Sequence, residues 1–361
     1  MNVTRRAALA AGVGALAMAP GTAARASLAT TAVGDESARS MSAEGTLDVN
    51  PLPSDLAGLP QIEATLWATV SSENGHSLEG LVFDAAGRLY CCHRFSRERD
   101  GEKVTTSEVL MFDDDGASSV CASREGAAFN GIAFGPDGRA FLADMTGHIL
   151  ALDLASGEFA ELPSSCDGHQ IMPNDVVLGP NDDLYIADFS GNALAADGGV
   201  YRLHAADSYQ TIELVQGGLR TCNGIAFTPD RSYLWVAETS MNRVVRIAID
   251  PQTGDAKTGF LDACVVYQGQ GTAGPDSMRV DASGNVYQAF MPDGRAVVFN
   301  AKGIPIANVL PVDRSEGTAM MSTCPGLSPL EPRGYLAAYG KGGAYMYSFA
   351  ALDVAADAAK R

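Results

Sequence analysis

Five segments of the chain share one pattern of polar and apolar positions. Each begins with an acidic or amide residue, has apolar side chains two and four residues later, and runs into a turn rich in Gly, Pro and Asp. Such alternation is typical of a β-strand with one buried face. An aromatic residue eleven or twelve positions after each start predicts a second strand beyond the turn. The segments are 79–83, 130–134, 174–178, 223–227 and 276–280.

The five segments recur at a nearly constant interval. Their starts are separated by 51, 44, 49 and 53 residues, and a weaker sixth copy lies over residues 318–339. β-type units repeating about every fifty residues are typical of propeller blades. The alternating segment Gln61–Val70 is expected to pair with the last blade and close the ring, which would remove an exposed sheet edge. The sequence therefore predicts an all-β protein, a six-bladed β-propeller. A β-sandwich with chance repeats is the competing fold, and it accounts for neither the offsets nor the spacing.

Composition limits the class of partner. The chain has 361 residues, 46% of them hydrophobic, with 43 acidic against 25 basic residues. The apolar fraction excludes intrinsic disorder. A net charge of −18 argues against nucleic acid, whose phosphates require clustered Lys and Arg. We therefore expect a folded protein that acts on a small molecule, and we expect a monomer.

The N-terminal residues have the features of an export signal. Arg5 and Arg6 precede an apolar run over residues 7–19, and the small-residue pattern Ala-Arg-Ala follows at 24–26. The run is too short to span a bilayer, and the order of regions is that of a secretory signal. Paired arginines favour twin-arginine export to the periplasm or the cell exterior, with an ordinary secretory signal as the alternative. The expected organisation is a signal peptide at 1–26, a flexible lead-in at 27–55, the propeller at 56–350 and a C-terminal tail at 351–361.

The seven cysteines show no CxxC motif and no accompanying histidine pair. Zinc-ribbon and thioredoxin-like sites are therefore unsupported. Two interpretations remain open, namely small core residues on strands or one disulfide among them. Cys222 precedes one of the five opening residues, and we expect it to pack in the core because nothing nearby in the sequence activates its thiol.

The opening residues of the five units predict a metal site. If the units are equivalent blades, these residues surround one central axis; they are Glu79, Asn130, Asn174, Asn223 and Asp276. Carboxylate and amide oxygens are ligands for a hard cation, and Ca²⁺ tolerates irregular oxygen coordination better than Mg²⁺ does. Asn or Asp at a strand start also caps turns. Turn capping explains any one of these residues, but it gives no reason for five of them to stand at the same position of the repeated unit. We therefore predict bound Ca²⁺, with another divalent cation as the alternative.

Several of these positions carry a family resemblance. The motifs are Leu78-Glu79-Gly80, Pro173-Asn174-Asp175, Asn223-Gly224-Ile225-Ala226 and Gly274-Pro275-Asp276-Ser277. Together and in this order they resemble the regucalcin/gluconolactonase family of six-bladed propellers. The stretch 294–308 with Glu316-Gly317 is similar to the bacterial drug-responsive lactonase branch of that family. The resemblance covers nearly the whole chain after the predicted signal peptide, from about residue 60 to residue 348.

The resemblance implies a divalent cation on the axis, usually Ca²⁺, and hydrolysis of lactones. By position, the metal ligands are Glu79, Asn174, Asn223 and Asp276, with Ser277 as an additional contact. Asp276 also matches the catalytic acid/base of the family. One departure concerns Met172, because sugar lactonases of the family have an arginine there that holds substrate hydroxyls. We therefore expect apolar lactones rather than sugar lactones.

No other catalytic motif competes with this interpretation. A Gly-x-Ser-x-Gly elbow and paired metal-binding histidines are both missing from the sequence. The predicted function is a calcium-dependent lactonase, a carboxylic-ester hydrolase acting on a lactone or ester. Asn130, Asp175 and His169 are predicted to contact substrate, and Asp175 or His169 is an alternative to Asp276 as the general base. The alternatives from other classes are a non-catalytic ligand-binding propeller and a strictosidine-synthase-like enzyme on the same scaffold.

Overall fold

The computed structural model of the chain describes residues 51–356. The predicted signal peptide, most of the lead-in and the last five residues of the tail lie outside this range. The first strands are β1 (Gln61–Ser71), β2 (Ser77–Phe83), β3 (Leu89–Arg99), β4 (Glu102–Phe112), β5 (Ser118–Glu125), β6 (Phe129–Phe134), β7 (Ala140–Asp144), β8 (His148–Asp153), β9 (Glu158–Leu162), β10 (Ser165–Cys166), β11 (His169–Gln170), β12 (Pro173–Leu178) and β13 (Leu184–Asp188). They are followed by β14 (Gly198–Leu203), β15 (Ile212–Leu219), β16 (Cys222–Phe227), β17 (Tyr233–Glu238), β18 (Arg243–Ala248), β19 (Ala263–Gln268), β20 (Gly274–Val280), β21 (Val286–Met291), β22 (Arg295–Phe299), β23 (Pro305–Pro311), β24 (Met321–Leu327), β25 (Arg333–Gly340) and β26 (Gly343–Ala350).

The strands form repeated antiparallel meanders. Four sheets contain four consecutive strands each, namely β2 to β5, β6 to β9, β12 to β15 and β16 to β19. A larger sheet has the order β20-β21-β22-β23-β1-β26-β25-β24, and the short strands β10 and β11 pair with each other. The helical segments in residues 51–356 are short 3₁₀ turns. None of them is long or apolar enough to cross a membrane. The predicted all-β class is therefore confirmed.

Strand β1 joins the start of the described chain to its end. It pairs antiparallel with β26 and, through Gln61–Ala64, parallel with β23. This confirms the predicted strand over Gln61–Val70 and its pairing with the last unit. Just before it, Leu56 is fully buried, and its carbonyl accepts a hydrogen bond of 2.9 Å from Asn308 Nδ2. At the other end, Ala355 forms a β-bridge to Asp281.

The first strands of successive meanders are neighbours in a closed cycle. Strand β2 contacts β6, β6 contacts β12, β12 contacts β16, β16 contacts β20, β20 contacts β24, and β24 contacts β2. All five predicted opening segments lie on these strands. Strands β24 and β25 supply the predicted sixth, weaker unit.

The core is divided into six apolar clusters that lie between successive meanders. The aromatic residues expected eleven or twelve positions after each opening residue are all buried on second strands; they are Tyr90, Phe141, Tyr185, Trp235 and Tyr287. All seven cysteines lie within residues 51–356 and none forms a disulfide. Cys222 packs in one of these clusters, and burial raises the pKa of its thiol. Four of the seven cysteines are buried, namely Cys91, Cys92, Cys222 and Cys324, so the fold supports the interpretation as core residues for these four.

Candidate functional site

The five opening residues occupy one structural position, next to a break in strand register. In four meanders the regular pairing between first and second strand is interrupted across the opening residue and the residue after it, and in the first meander the interruption follows Glu79. A β-bulge bends a strand and redirects the side chains at that point. All five opening residues are buried. The sequence pattern located this position but contained no sign of the bulge.

Glycines after three opening residues allow neighbouring first strands to approach closely. A Cβ atom on Gly131 would lie 2.6 Å from the Asp175 Cα, and one on Gly224 would lie 2.5 Å from the Ser277 Cα. Gly80 has a φ of +54°, and its Cβ would lie 2.3 Å from the Asn130 carbonyl oxygen. Any larger residue would push the backbones apart. The Gly in the repeated Asn-Gly pairs therefore draws the first strands together at the level of the opening residues.

Three side-chain oxygens at this level are buried without a hydrogen-bond donor. They are Glu79 Oε2, Asn174 Oδ1 and Asn223 Oδ1. The Asn174 Nδ2 donates to the Met145 sulfur at 3.8 Å, which leaves the Asn174 oxygen without a partner, and the Asn223 side chain lies close enough to Asp276 to lower the pKa of its carboxyl. A buried acceptor without a partner costs about 1–3 kcal/mol. Oxygen-only acceptors in equivalent positions fit a hard cation.

The two acids of the set influence each other. Burial, the Asp276 carboxylate and the more distant Asp175 raise the pKa of Glu79 well above its usual range, against the lowering effect of Arg94. Burial raises the pKa of Asp276 to about 7, although the Asn223 amide lowers it. Desolvation of this kind disfavours the ionised form unless a positive charge balances it. In residues 51–356, no three His, Cys, Asp or Glu side chains form a metal-binding cluster. A cation here would therefore depend on the amide oxygens as well as on the two acids.

Asp175 lies beside the set but has its own partners. Its Oδ1 accepts the Val176 backbone N–H at 2.9 Å, and its Oδ2 accepts the Ile225 N–H at 3.3 Å and Arg279 Nη1 at 3.2 Å. Arg279 Nε also donates to the Leu81 carbonyl at 3.1 Å. We call this group the Asp175–Arg279 brace. It connects β12, β16, β20 and β2, and both oxygens of Asp175 are occupied by it.

His169 is held away from the opening residues by a different partner. Its Nε2 lies 2.7 Å from Asp188 Oδ2, and its ring stacks on Tyr201. On β2 and β3, His76 Nδ1 lies 2.9 Å from His93 Nε2, and His93 Nδ1 lies 3.1 Å from Glu108 Oε2. No contact joins these histidines to Glu79 or Asp276 among residues 51–356.

Six residues form a rim next to the opening level. Each of them contacts the backbone of a first-strand residue, either as its cross-strand partner or by donating its N–H to it. That first-strand residue lies two positions before the opening residue, or at the corresponding place on β24. All six are half-buried. We call them the rim residues: Arg94, Met145, Phe189, Thr239, Met291 and Tyr339. Burial and the two acids raise the pKa of Tyr339 to about 12, while Arg94 lowers it. Sequence reasoning missed this rim because its members share a register position but no residue type.

One cavity of the described chain lies away from the opening residues. It measures about 630 Å³ and is lined by residues from the far ends of the first strands, including Phe83, Phe134, Leu178 and Phe227. The opening residues are at the near ends of the same strands and do not line it. The volume of this cavity therefore says nothing about the chemistry of the opening residues.

Comparison with known proteins places the chain in a family. The family description "SMP-30/Gluconolactonase/LRE-like region" matches residues 79–315, more than half of the chain. The chain belongs to this family, which confirms the predicted resemblance. A lactonase drp35 from Staphylococcus haemolyticus is 31% identical over 276 residues, covering 75% of this chain and 80% of that protein.

Solved structures agree on the fold. Regucalcin of Agrobacterium tumefaciens, described as a calcium-binding protein, matches with a TM-score of 0.63 and 19% identity over 82% of this chain and 98% of that one. A gluconolactonase of Xanthomonas campestris matches with a TM-score of 0.59 and 19% identity over 78% of this chain and 88% of that one. At this identity the likeness establishes the fold alone, which is that of the propeller family to which both belong.

Proposed function

We propose that the protein is a six-bladed β-propeller that hydrolyses a lactone with the help of a divalent cation, most simply Ca²⁺. The closed cycle of six first strands supports the blade count, with the larger sheet interpreted as two blades joined between β23 and β1. Relatives named lactonase support the reaction class. The single observation that carries the proposal is the set of three buried, unpartnered oxygens at equivalent positions.

In this proposal Glu79, Asn174, Asn223 and Asp276 hold the cation, and Ser277 is an additional contact. When bound, a divalent cation supplies Lewis acidity that polarises a carbonyl oxygen. It also balances the two buried carboxylates, whose charge the fold otherwise leaves poorly compensated. The amide oxygens complete the set without adding negative charge.

Asp276 is the residue proposed to move the proton. Water attacks the lactone carbonyl carbon, its proton passes to an Asp276 carboxylate oxygen, and the ring C–O bond breaks. The leaving oxygen then takes a proton, so lactone and water give one hydroxy acid. Among the predicted alternatives, Asp175 has both oxygens engaged in the brace and His169 is bound to Asp188. Asp276 is buried among the proposed cation ligands and matches the acid/base position that the family resemblance implies, which favours it as the acid/base.

The experiment begins with removal of divalent cations by EGTA. A panel of lactones and aryl esters is then assayed with and without added Ca²⁺ or Mg²⁺. We expect turnover that disappears with EGTA and returns with a cation. Asp276→Asn should reduce turnover about a hundredfold or more while the fold is kept. Asp137→Asn, at an exposed turn, is the matched control and should keep full activity.

Two results would overturn the proposal. If the wild type turns over no lactone or ester under any cation, the protein is better explained as a non-catalytic binding propeller. If turnover persists in EGTA and in Asp276→Asn, the reaction uses other residues, as a strictosidine-synthase-like enzyme on this scaffold would. We further propose export by the twin-arginine route, supported by the Arg5-Arg6 sequence pattern.

A further inference from the structure

One rim residue differs from the other five in carrying a charge. Arg94 lies at the middle of β3 and pairs with Ser77, the first residue of β2. The other rim residues are two methionines, a phenylalanine, a threonine and a tyrosine, all without charge at neutral pH. The rim is therefore an uncharged ring with one guanidinium in it.

The Arg94 side chain is directed to the same face of its sheet as Glu79. Cys92, two residues earlier on β3, is the cross-strand partner of Glu79, and side chains two apart on a strand share a face. The positive charge of Arg94 also acts on Asp276, which belongs to a different meander. Arg94 is therefore within electrostatic reach of both acids.

In spite of this, Arg94 has no partner of its own. No hydrogen bond, ion pair or ring contact joins its guanidinium to any of residues 51–356. It is half-buried and keeps access to solvent. A guanidinium has five N–H donors in a planar fork that matches a carboxylate. Held at the rim of an acidic site and left unpaired, it is available to a ligand.

The charge balance decides which ligand fits. Asp175 is paired with Arg279, and one divalent cation at the proposed site would neutralise the two carboxylates Glu79 and Asp276. Arg94 then remains as one unopposed positive charge at the rim. Such a site attracts an anion, and a bidentate carboxylate satisfies the fork better than a neutral hydroxyl does.

We propose that Arg94 binds a carboxylate on the substrate and so selects lactones that carry one, in place of the purely apolar lactones expected from the sequence; this rests on the proposed lactonase function. The uncharged remainder of the rim would accommodate the rest of the molecule. Met172, which stands where the family resemblance implies an arginine, immediately precedes β12, whereas Arg94 lies on β3 of a different meander.

Kinetics with a matched pair of substrates test the proposal. The pair is 5-oxotetrahydrofuran-2-carboxylate and its neutral carboxamide, compared by the ratio of their kcat/KM values. We expect the wild type to prefer the carboxylate and Arg94→Gln to lower that ratio about 10- to 100-fold, mainly through KM. Arg94→Lys, which keeps the charge without the fork, should retain part of the preference. Arg97→Gln is the control, because Arg97 lies on the opposite face of β3 above Phe95 and should leave the ratio unchanged.

Binding of unreactive analogues separates this inference from the lactonase proposal. Calorimetry with pyroglutamate and pyroglutamamide, lactams of the same shape, should show at least tenfold tighter binding of the carboxylate to the wild type only. If no lactone is hydrolysed but this preference is present and lost in Arg94→Gln, the anion site stands and the lactonase proposal fails. Equal binding of both lactams to the wild type, or an Arg94→Gln variant that lowers both lactone rates equally, overturns the role of Arg94.

Discussion

Replacing Arg279 by methionine should destabilise the protein more than the loss of any exposed ion pair. The change removes the cation of the Asp175–Arg279 brace while keeping the length and apolar character of the side chain. Asp175 is fully buried, and the Arg279 side chain is 19% exposed. The variant therefore leaves a buried carboxylate with backbone N–H donors and no balancing charge.

The magnitude follows from what is left unpaired. Breaking a buried ion pair from one side costs about 3–5 kcal/mol, because the remaining charge stays desolvated. The residues of the brace are also close in the chain to three proposed cation ligands. Asn174 directly precedes Asp175, and Asp276 lies three residues before Arg279. Glu79 lies two residues before Leu81, whose carbonyl accepts from Arg279. We therefore expect weaker cation binding as well as a lower free energy of unfolding.

Urea unfolding in the presence of EGTA, monitored by tryptophan fluorescence, measures the change in the free energy of unfolding without a contribution from bound cation. Arg333→Met is the control, since Arg333 lies 3.2 Å from Glu331 with both side chains half exposed, and such pairs contribute about 0–1 kcal/mol. The double variant Asp175→Asn with Arg279→Met removes both charges and should recover at least half of the loss. The explanation is refuted if Arg279→Met lowers the free energy of unfolding no more than Arg333→Met does. It is also refuted if the loss in the double variant equals the sum of the losses in the two single variants.

Three further outcomes are expected. Glu79→Gln should weaken Ca²⁺ affinity more than it lowers turnover at saturating Ca²⁺, and calcium titrations that show an unchanged affinity would contradict its role as a ligand. Gly224→Ala places a methyl group 2.5 Å from a backbone Cα of the neighbouring first strand; it should cost about 1–3 kcal/mol in urea unfolding, whereas Gly58→Ala, with nothing within 4 Å, should cost little. Changing Arg5 and Arg6 to lysine should block export measured by cell fractionation, and normal export would show an ordinary secretory signal.

The sequence predicted the repeated unit well because the unit is local. An opening residue, two alternating apolar positions, a turn and an aromatic all lie within a dozen residues, and each of these signals is read from neighbouring positions. The structure has Glu79 and Asp276 on equivalent first strands and Tyr185 and Trp235 buried on second strands, as the pattern required. Even the pairing of Gln61–Val70 with the last unit was predicted, since an unpaired edge strand is unfavourable.

What the sequence did not reveal depends on register between strands that are far apart in the chain. Arg94 carries no motif, and its relation to Asp276 appears only when the meanders are placed around one centre. The brace joins Asp175 to Arg279 over a separation of 104 residues. The bulges that redirect the opening side chains leave no mark in the hydrophobic pattern, because a bulge shifts the pairing without changing which residues are apolar.

The opening level and the rim are under different physical constraints, and this bears on substrate choice within the family. An opening residue such as Asn223 is fixed by burial, a bulge and a glycine that brings the next backbone into contact, so a substitution there that changes side-chain size disturbs fold and chemistry together. A rim residue such as Arg94 is half-buried and uses only its backbone to hold its place, so its side chain can change without moving the strands. On the proposed function, substrate preference can therefore be altered at the rim without changing the opening residues. Exchanging Arg94 for one of the uncharged residue types found elsewhere on this rim should therefore change which lactone is accepted without weakening cation binding, because the guanidinium acts on both proposed acidic ligands and its removal takes away a repulsive charge.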